Sequence, residues 1–216
     1  MGTILIIAGG PIERSFGIDY VNSIGADYVI AADAGLSYCR DAGVLPDRIV
    51  GDFDSVPQDV YRYYYEKVPE RFERFPAHKD YTDTELALQM AYERPEEQIT
   101  ILGALGGRVD HTLGNIALLK QTLAEGKQCF LADEKNRVRM ICSDTVLRRN
   151  DLLEGEISLV AFDGPVTGLT LRGFAYEVTD FTLQAATTRG ISNEITRETA
   201  SIELRDGFLL VIESRD

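Results

Sequence analysis

Short apolar stretches recur along the first two thirds of the chain, each followed by a longer segment of mixed polarity. Ile4–Ala8, Tyr28–Ala32, Arg48–Gly51, Phe72–Phe75, Gln98–Leu102 and Gln128–Ala132 have strand length and are mostly apolar. Between them, a short segment before Gly25 and the stretches Gly35–Ala42, Gln58–Lys67, Thr84–Arg94 and Thr112–Glu125 read as helices. Strands apolar along their length, alternating with helices, predict a parallel sheet covered on both faces. Right-handed crossovers then bring every strand's carboxyl end to one edge of that sheet. The edge collects Gly9-Gly10, Asp33, Asp52, Asp54 and the run Gly103–Asp110.

The texture changes near residue 143. Val146–Arg149, Ile157–Phe162, Leu169–Arg172, Tyr176–Thr179 and Thr182–Thr187 are short β-rich runs separated by turn residues. At the end, Ser201–Arg205 and Phe208–Ile212 flank Asp206-Gly207, which predicts a hairpin on a type I′ turn. The expected fold is therefore an α/β domain over 1–142 with a parallel, doubly wound sheet, then a small all-β sandwich over 143–216. The second part is short for an independent core, so it is expected to lean on the first domain or on another subunit.

Composition narrows the function classes. A formal charge of −13 and a pI near 4.6 argue against nucleic acid, whose phosphates need a basic surface. They leave room for a phosphorylated substrate whose charge is offset by metal and a few local cations. Cys39, Cys129 and Cys142 have no C-x-x-C spacing and read as small apolar residues in a reducing compartment. His78 and His111 are too few for a histidine metal cluster. The chain starts without a basic leader and has no apolar run of membrane-spanning length, so the expected location is the cytoplasm.

Three segments carry candidate chemistry. Gly51-Asp-Phe-Asp-Ser55 follows a strand, and side chains two apart in extended chain point the same way. Asp52 and Asp54 would then share a side, an arrangement relieved by a hard cation such as Mg²⁺, at the sheet edge where α/β folds bind ligands. The other reading is a turn rich in Asp and Ser. In Lys79-Asp-Tyr-Thr-Asp-Thr-Glu85, Thr82 and Glu85 form a capping box that starts a helix. Acidic residues there also suit the helix dipole, but Asp80 precedes the cap; Asp80 and Asp83 could complete a carboxylate nest, with Lys79 available for a phosphate. In Gly103–His111, the Gly106-Gly107 turn can bring backbone amides to phosphate oxygens at a helix start, and Arg108 suits a polyphosphate clamp. His111 reads as structural.

Together these segments, with Ala32-Asp33-Ala34-Gly35 and the late Gly190-Ile191-Ser192-Asn193, resemble the thiamine pyrophosphokinase family over nearly the whole chain. The resemblance implies a transferase in which thiamine's hydroxyl attacks the β-phosphorus of ATP and AMP leaves. It also implies a homodimer with its active site between subunits. Carried across, Asp52, Asp54 and Asp83 would hold Mg²⁺ with Asp80 beside them. Lys79, Arg108, Gly106 and Gly107 would meet ATP, and Asp110 would lie close to both substrates. Asp33, Ser192 and Asn193 would serve thiamine, the last two from the partner subunit.

Two departures from the family pattern stand out. Ala34 replaces a glycine, and alanine tolerates positive φ less well. The chain also lacks the tryptophan that some members stack on thiamine. Tyr176 is the nearest substitute; it reads either as a cation–π partner or as a core strand aromatic. The rival reading is a haloacid-dehalogenase-type phosphatase with Asp52 as nucleophile and Asp54 as acid, although there the motif usually sits on the first strand.

Overall fold

The computed structural model describes residues 2–76 and 80–216. Two compact units divide at Glu134 and Lys135. In the first, strands β1 (Thr3–Ile7), β2 (Tyr28–Ala32), β3 (Arg48–Gly51), β4 (Phe72–Arg74), β5 (Gln98–Leu102) and β6 (Gln128–Ala132) pair in parallel. Their order is β4-β3-β2-β1-β5-β6, so the strand sequence reverses between β1 and β5. That reversal opens a crevice at the strands' carboxyl ends, where such sheets take ligands.

Helices α1 (Arg14–Ser23), α2 (Gly35–Asp41), α3 (Gln58–Lys67), α4 (Asp83–Tyr92) and α5 (Val109–Ala124) connect these strands. Thr82 caps α4 by accepting the Glu85 amide at 3.2 Å, as the capping box predicts. Helix α5 starts three residues before the predicted Thr112, because its first turn is polar and the apolar period begins only later. One buried cluster includes Leu5, Ile7, Leu36, Ile49, Val60 and Tyr64, joining β1 and β3 to α2 and α3. The start of α2 lies so close to β1 that a Cβ on Gly35 would fall 2.0 Å from the Ile7 carbonyl oxygen.

The second unit is antiparallel: β7 (Asn136–Ile141), β8 (Thr145–Arg148), β9 (Glu156–Arg172), β10 (Val178–Leu183), β11 (Thr199–Glu203) and β12 (Asp206–Ser214). Its core contains Leu147, Leu159, Val166, Leu171, Ile202 and Val211. Strand β7 was not anticipated: it alternates Arg137 and Arg139 with apolar residues, and it moves the division between units ahead of residue 142. Ile157–Phe162 and Leu169–Arg172 are one continuous strand, since Asp163 and Gly164, both at positive φ, kink it without ending it.

The predicted terminal hairpin is corrected. Strands β11 and β12 do not pair with each other; β9 takes β12 along its first half and β11 at its end. Asp206-Gly207 belongs to β12 rather than to a turn. Gly207, at φ 111°, lies where a Cβ would come 2.7 Å from the Pro165 oxygen, at a register shift against β9. Among the described residues no helix is long and apolar enough to cross a membrane.

Candidate active site

Asp33, Asp52 and Asp54 meet at the carboxyl ends of β2 and β3. Each offers an oxygen, and these oxygens all lie within 4.8 Å of one another. The chain folds this way because Asp33 sits in the left-handed region (φ 46°), which Asp tolerates better than most residues, while its amide bonds the Val50 carbonyl at 2.8 Å. Gly51 leaves room for that approach: a Cβ there would come 3.2 Å from the Asp33 Cα. Ala34 is right-handed helical (φ −59°), so the alanine expected to be a poor substitute carries no strain; the positive φ falls one residue earlier.

Burial pushes the Asp33 carboxyl above the usual carboxylate range, and the charges of Asp83 and Asp52 push it the same way. Its Oδ1 is buried with no hydrogen-bond partner. The Asp54 amide donates to Asp52 Oδ1 at 3.1 Å, and Ser55 Oγ donates to Asp54 Oδ1 at 2.8 Å. Three hard oxygen donors, with an orphaned oxygen on one of the three carboxylates, fit a small divalent cation. The cluster therefore differs in membership from the expected metal set. Asp33, assigned to the thiamine end, joins it. Asp83 acts on Asp33 through its charge without entering the group, and Asp80 lies exposed before α4. Lys79 and His78 fall outside the described residues.

Arg74, which sequence reasoning passed over, donates weakly to the Asp52 carbonyl at 3.4 Å, its guanidinium 5.9 Å from the Phe53 ring centroid. It could have been noticed as the basic residue ending the strand that neighbours β3.

The glycine turn after β5 crosses the same edge. Gly10 donates to the Gly103 carbonyl at 3.1 Å, tying the loops that follow β1 and β5. Gly106 and Gly107 both have positive φ (75° and 66°) and lie over Pro11. Arg108 forms a two-pronged pair with Asp110, Nη2 to Oδ2 at 2.6 Å and Nε to Oδ1 at 3.1 Å, and the His111 amide adds a bond of 2.9 Å to Oδ1. The guanidinium, with that amide, pulls the Asp110 carboxyl down to about 2. Asp110 and His111 face Thr82 and Glu85 across a pocket of about 240 Å³ floored by Gly114 and Leu118.

In the second unit, Tyr176 is 72% exposed, which excludes the reading as a core aromatic. Asn193 is only 6% exposed, and its side chain is committed internally. Its Oδ1 accepts the Tyr176 and Glu194 amides, and its Nδ2 donates to the Tyr176 carbonyl at 3.0 Å. Ser192, at φ 57°, donates its hydroxyl to Glu156. A groove of about 740 Å³ beside it carries Glu154, Glu156 and Glu194 on its walls.

Comparison with known proteins covers both units. The model of the thiamin pyrophosphokinase catalytic domain matches residues 23–131, and that of the thiamin pyrophosphokinase vitamin B1 binding domain matches residues 145–209. A thiamine pyrophosphokinase of Bacillus subtilis is 34% identical over 176 residues, 82% of each chain. The crystal structure of thiamine pyrophosphokinase from Bacillus subtilis superposes with a TM-score of 0.90 at 31% identity, covering 99% of both chains. A thiamin pyrophosphokinase family protein from Enterococcus faecalis gives 0.81 at 31% identity over the whole of both chains.

Proposed function

The chain belongs to the thiamine pyrophosphokinase family, and from that premise we propose how its residues carry out transfer of a pyrophosphoryl group from ATP to thiamine's hydroxyl. The O–P bond to the β-phosphorus forms, the bridge to the α-phosphate breaks, and AMP leaves. The hydroxyl proton passes to solvent or to a neighbouring carboxylate. The observation that carries the assignment is the convergence of Asp33, Asp52 and Asp54, with an unpartnered buried oxygen on Asp33.

Those three residues would hold Mg²⁺, with Asp83 adding negative charge nearby and Asp80 assigned to the same set from sequence. Bound there, Mg²⁺ would neutralise charge on the triphosphate. Arg108 exchanges Asp110 for phosphate oxygens, and Asp110, so released, faces the pocket it shares with Glu85 and His111. The amides of Gly106 and Gly107 border the same phosphates, and Lys79 is assigned to them from sequence. In the second unit Tyr176 offers an exposed ring to the vitamin's cation. Ser192 and the acidic groove suit that cation too, while Asn193 holds the Tyr176 backbone rather than the ligand.

The strand reversal at β1/β5, with α2 packed against both α1 and α3 and α4 packed on α5, supports a doubly wound first unit. We read the first unit, up to Glu134, as the ATP and Mg²⁺ domain and the second, from Lys135, as a thiamine-binding sandwich. The homodimer with its site between subunits, and the cytoplasm as location, come from the resemblance and the free cysteines. Nothing in the comparisons favours Asp52 as a phosphatase nucleophile.

A coupled AMP assay tests the reading. AMP should appear from Mg²⁺-ATP only when thiamine is present, and Asp54→Asn should remove nearly all of it with the fold intact. Thiamine-independent phosphate release would overturn the assignment.

A further inference from the structure

Between the two aspartates of the Gly51–Ser55 loop stands a residue whose placement the reaction does not explain. Phe53 has φ 66°, a conformation that bulky side chains rarely adopt. Its ring is nevertheless only 7% exposed. It packs at 5.3 Å edge-on to Phe72 and at 5.6 Å from Tyr61 (centroid distances), and those two rings meet each other at 5.2 Å. Tyr65 closes the set, stacked on Tyr61 at 5.4 Å and edge-on to Phe72 at the same distance. Arg74 reaches over the Phe53 ring from the next strand and donates to the Asp52 carbonyl.

This arrangement constrains both neighbours. Three like-charged carboxylates brought this close repel one another, so a free loop would splay Asp52 and Asp54 away from Asp33. A ring held in an aromatic cage fixes the backbone of the residue between them. Strain of this kind persists only where its surroundings over-determine it. We propose that Phe53 is a positioning residue: caged by Tyr61 and Phe72, it holds Asp52 and Asp54 in register with Asp33 so that the three bind a divalent cation as a preformed set. The inference rests on the metal reading of this site. It adds that metal affinity is governed from the surface of α3, through residues that touch neither metal nor nucleotide.

Mn²⁺ alone, titrated into the full chain and followed by calorimetry or by loss of the free-ion paramagnetic resonance signal, tests it without turnover. Phe53→Gly relieves the positive φ yet removes the anchor, so it separates backbone conformation from caging. The expected result is a loss in Mn²⁺ affinity of about 10- to 100-fold, the range for residues that orient ligands from outside the coordination sphere, with unchanged circular dichroism. Phe53→Leu, which refills the cage, should recover most of that loss. Wild-type affinity in a folded Phe53→Gly variant would overturn the proposal while leaving the metal site standing. If wild type binds no Mn²⁺, or Asp54→Asn binds it equally well, the metal reading fails and the proposal with it. Should Phe53→Gly not fold, Tyr61→Leu thins the cage from its half-buried side. A several-fold loss there supports the anchor, and none rejects it.

Discussion

Asp110 shows how a single residue can be legible in sequence while its partner is not. Its place beside Arg108 was evident; that the two would satisfy each other was not, because a spacing of two says nothing about which way a guanidinium turns. The pair is exposed and so contributes little to stability. Its pH signature is clear all the same. The folded pKa lies below the ordinary 3.8, so any stabilisation is complete above that value and is lost as pH falls toward about 2. Carbon-13 NMR of the carboxyl should find its midpoint near the lower figure, and Arg108→Ala should move it most of the way back to 3.8. A midpoint that stays low would mean the His111 amide, not the guanidinium, holds it. That Asp33 lies beside Asp52 and Asp54 was not legible for a related reason. The sequence places it at the sheet edge, but only a left-handed backbone turns its carboxylate toward the loop after β3. By contrast, Asp52 and Asp54 were readable as a pair at the carboxyl end of β3, although not by strand alternation: β3 ends at Gly51 and Phe53 is left-handed at φ 66°, so a turn rather than extended chain brings the two carboxylates together.

At the scale of elements, β2, β3, β5, β6 and α3 match their expected bounds, since parallel strands buried on both faces leave an unambiguous apolar run. The antiparallel unit was harder. Its long strand β9 bends and pairs with several partners, and an Asp-Gly pair inside β12 imitated a hairpin turn. Strand β7 was missed because two arginines interrupt its apolar pattern. Those arginines point to a specific test. Glu213 on β12 is fully buried, with Arg137 Nη2 at 2.7 Å and the Leu153 amide at 3.0 Å from its carboxylate, and Arg139 is close enough to act on it. Burial pushes the Arg139 guanidinium down while Glu213 partly restores it. Arg137→Ala leaves a buried carboxylate short of its main counter-charge, which should cost about 3–5 kcal/mol in denaturant unfolding. Replacing both members, as in Arg137→Met with Glu213→Leu, should recover most of it. A cost below about 1 kcal/mol for Arg137→Ala would show that Arg139 alone suffices.

For the molecule as a whole, the net charge of −13 sets up two distinguishable responses to cations. Monovalent salt screens general repulsion among the carboxylates and should stabilise the chain modestly. Mg²⁺ does something further if Asp33, Asp52 and Asp54 bind it. A ligand specific to the folded state stabilises by about 2.7 kcal/mol at a hundredfold excess over its Kd. In a chain of this size each kcal/mol moves Tm by roughly 2–4 °C. At matched ionic strength, Mg²⁺ should therefore raise Tm by several degrees beyond NaCl. Asp33→Asn separates the two effects, because asparagine accepts the same left-handed backbone while removing one of the crowded charges. Its Tm without Mg²⁺ should equal or exceed that of the wild type, since the cost of burying a charge there, which is the main cause of the raised Asp33 pKa, and the repulsion from Asp83 and Asp52 both disappear. Its additional response to Mg²⁺ should vanish. A variant less stable than wild type without metal, yet still stabilised by Mg²⁺, would mean that these carboxylates serve the fold and that the cation binds elsewhere. The expected outcome, a chain that gains stability by losing a carboxylate and with it loses its response to metal, is the mark of a site kept for chemistry at the expense of the resting fold.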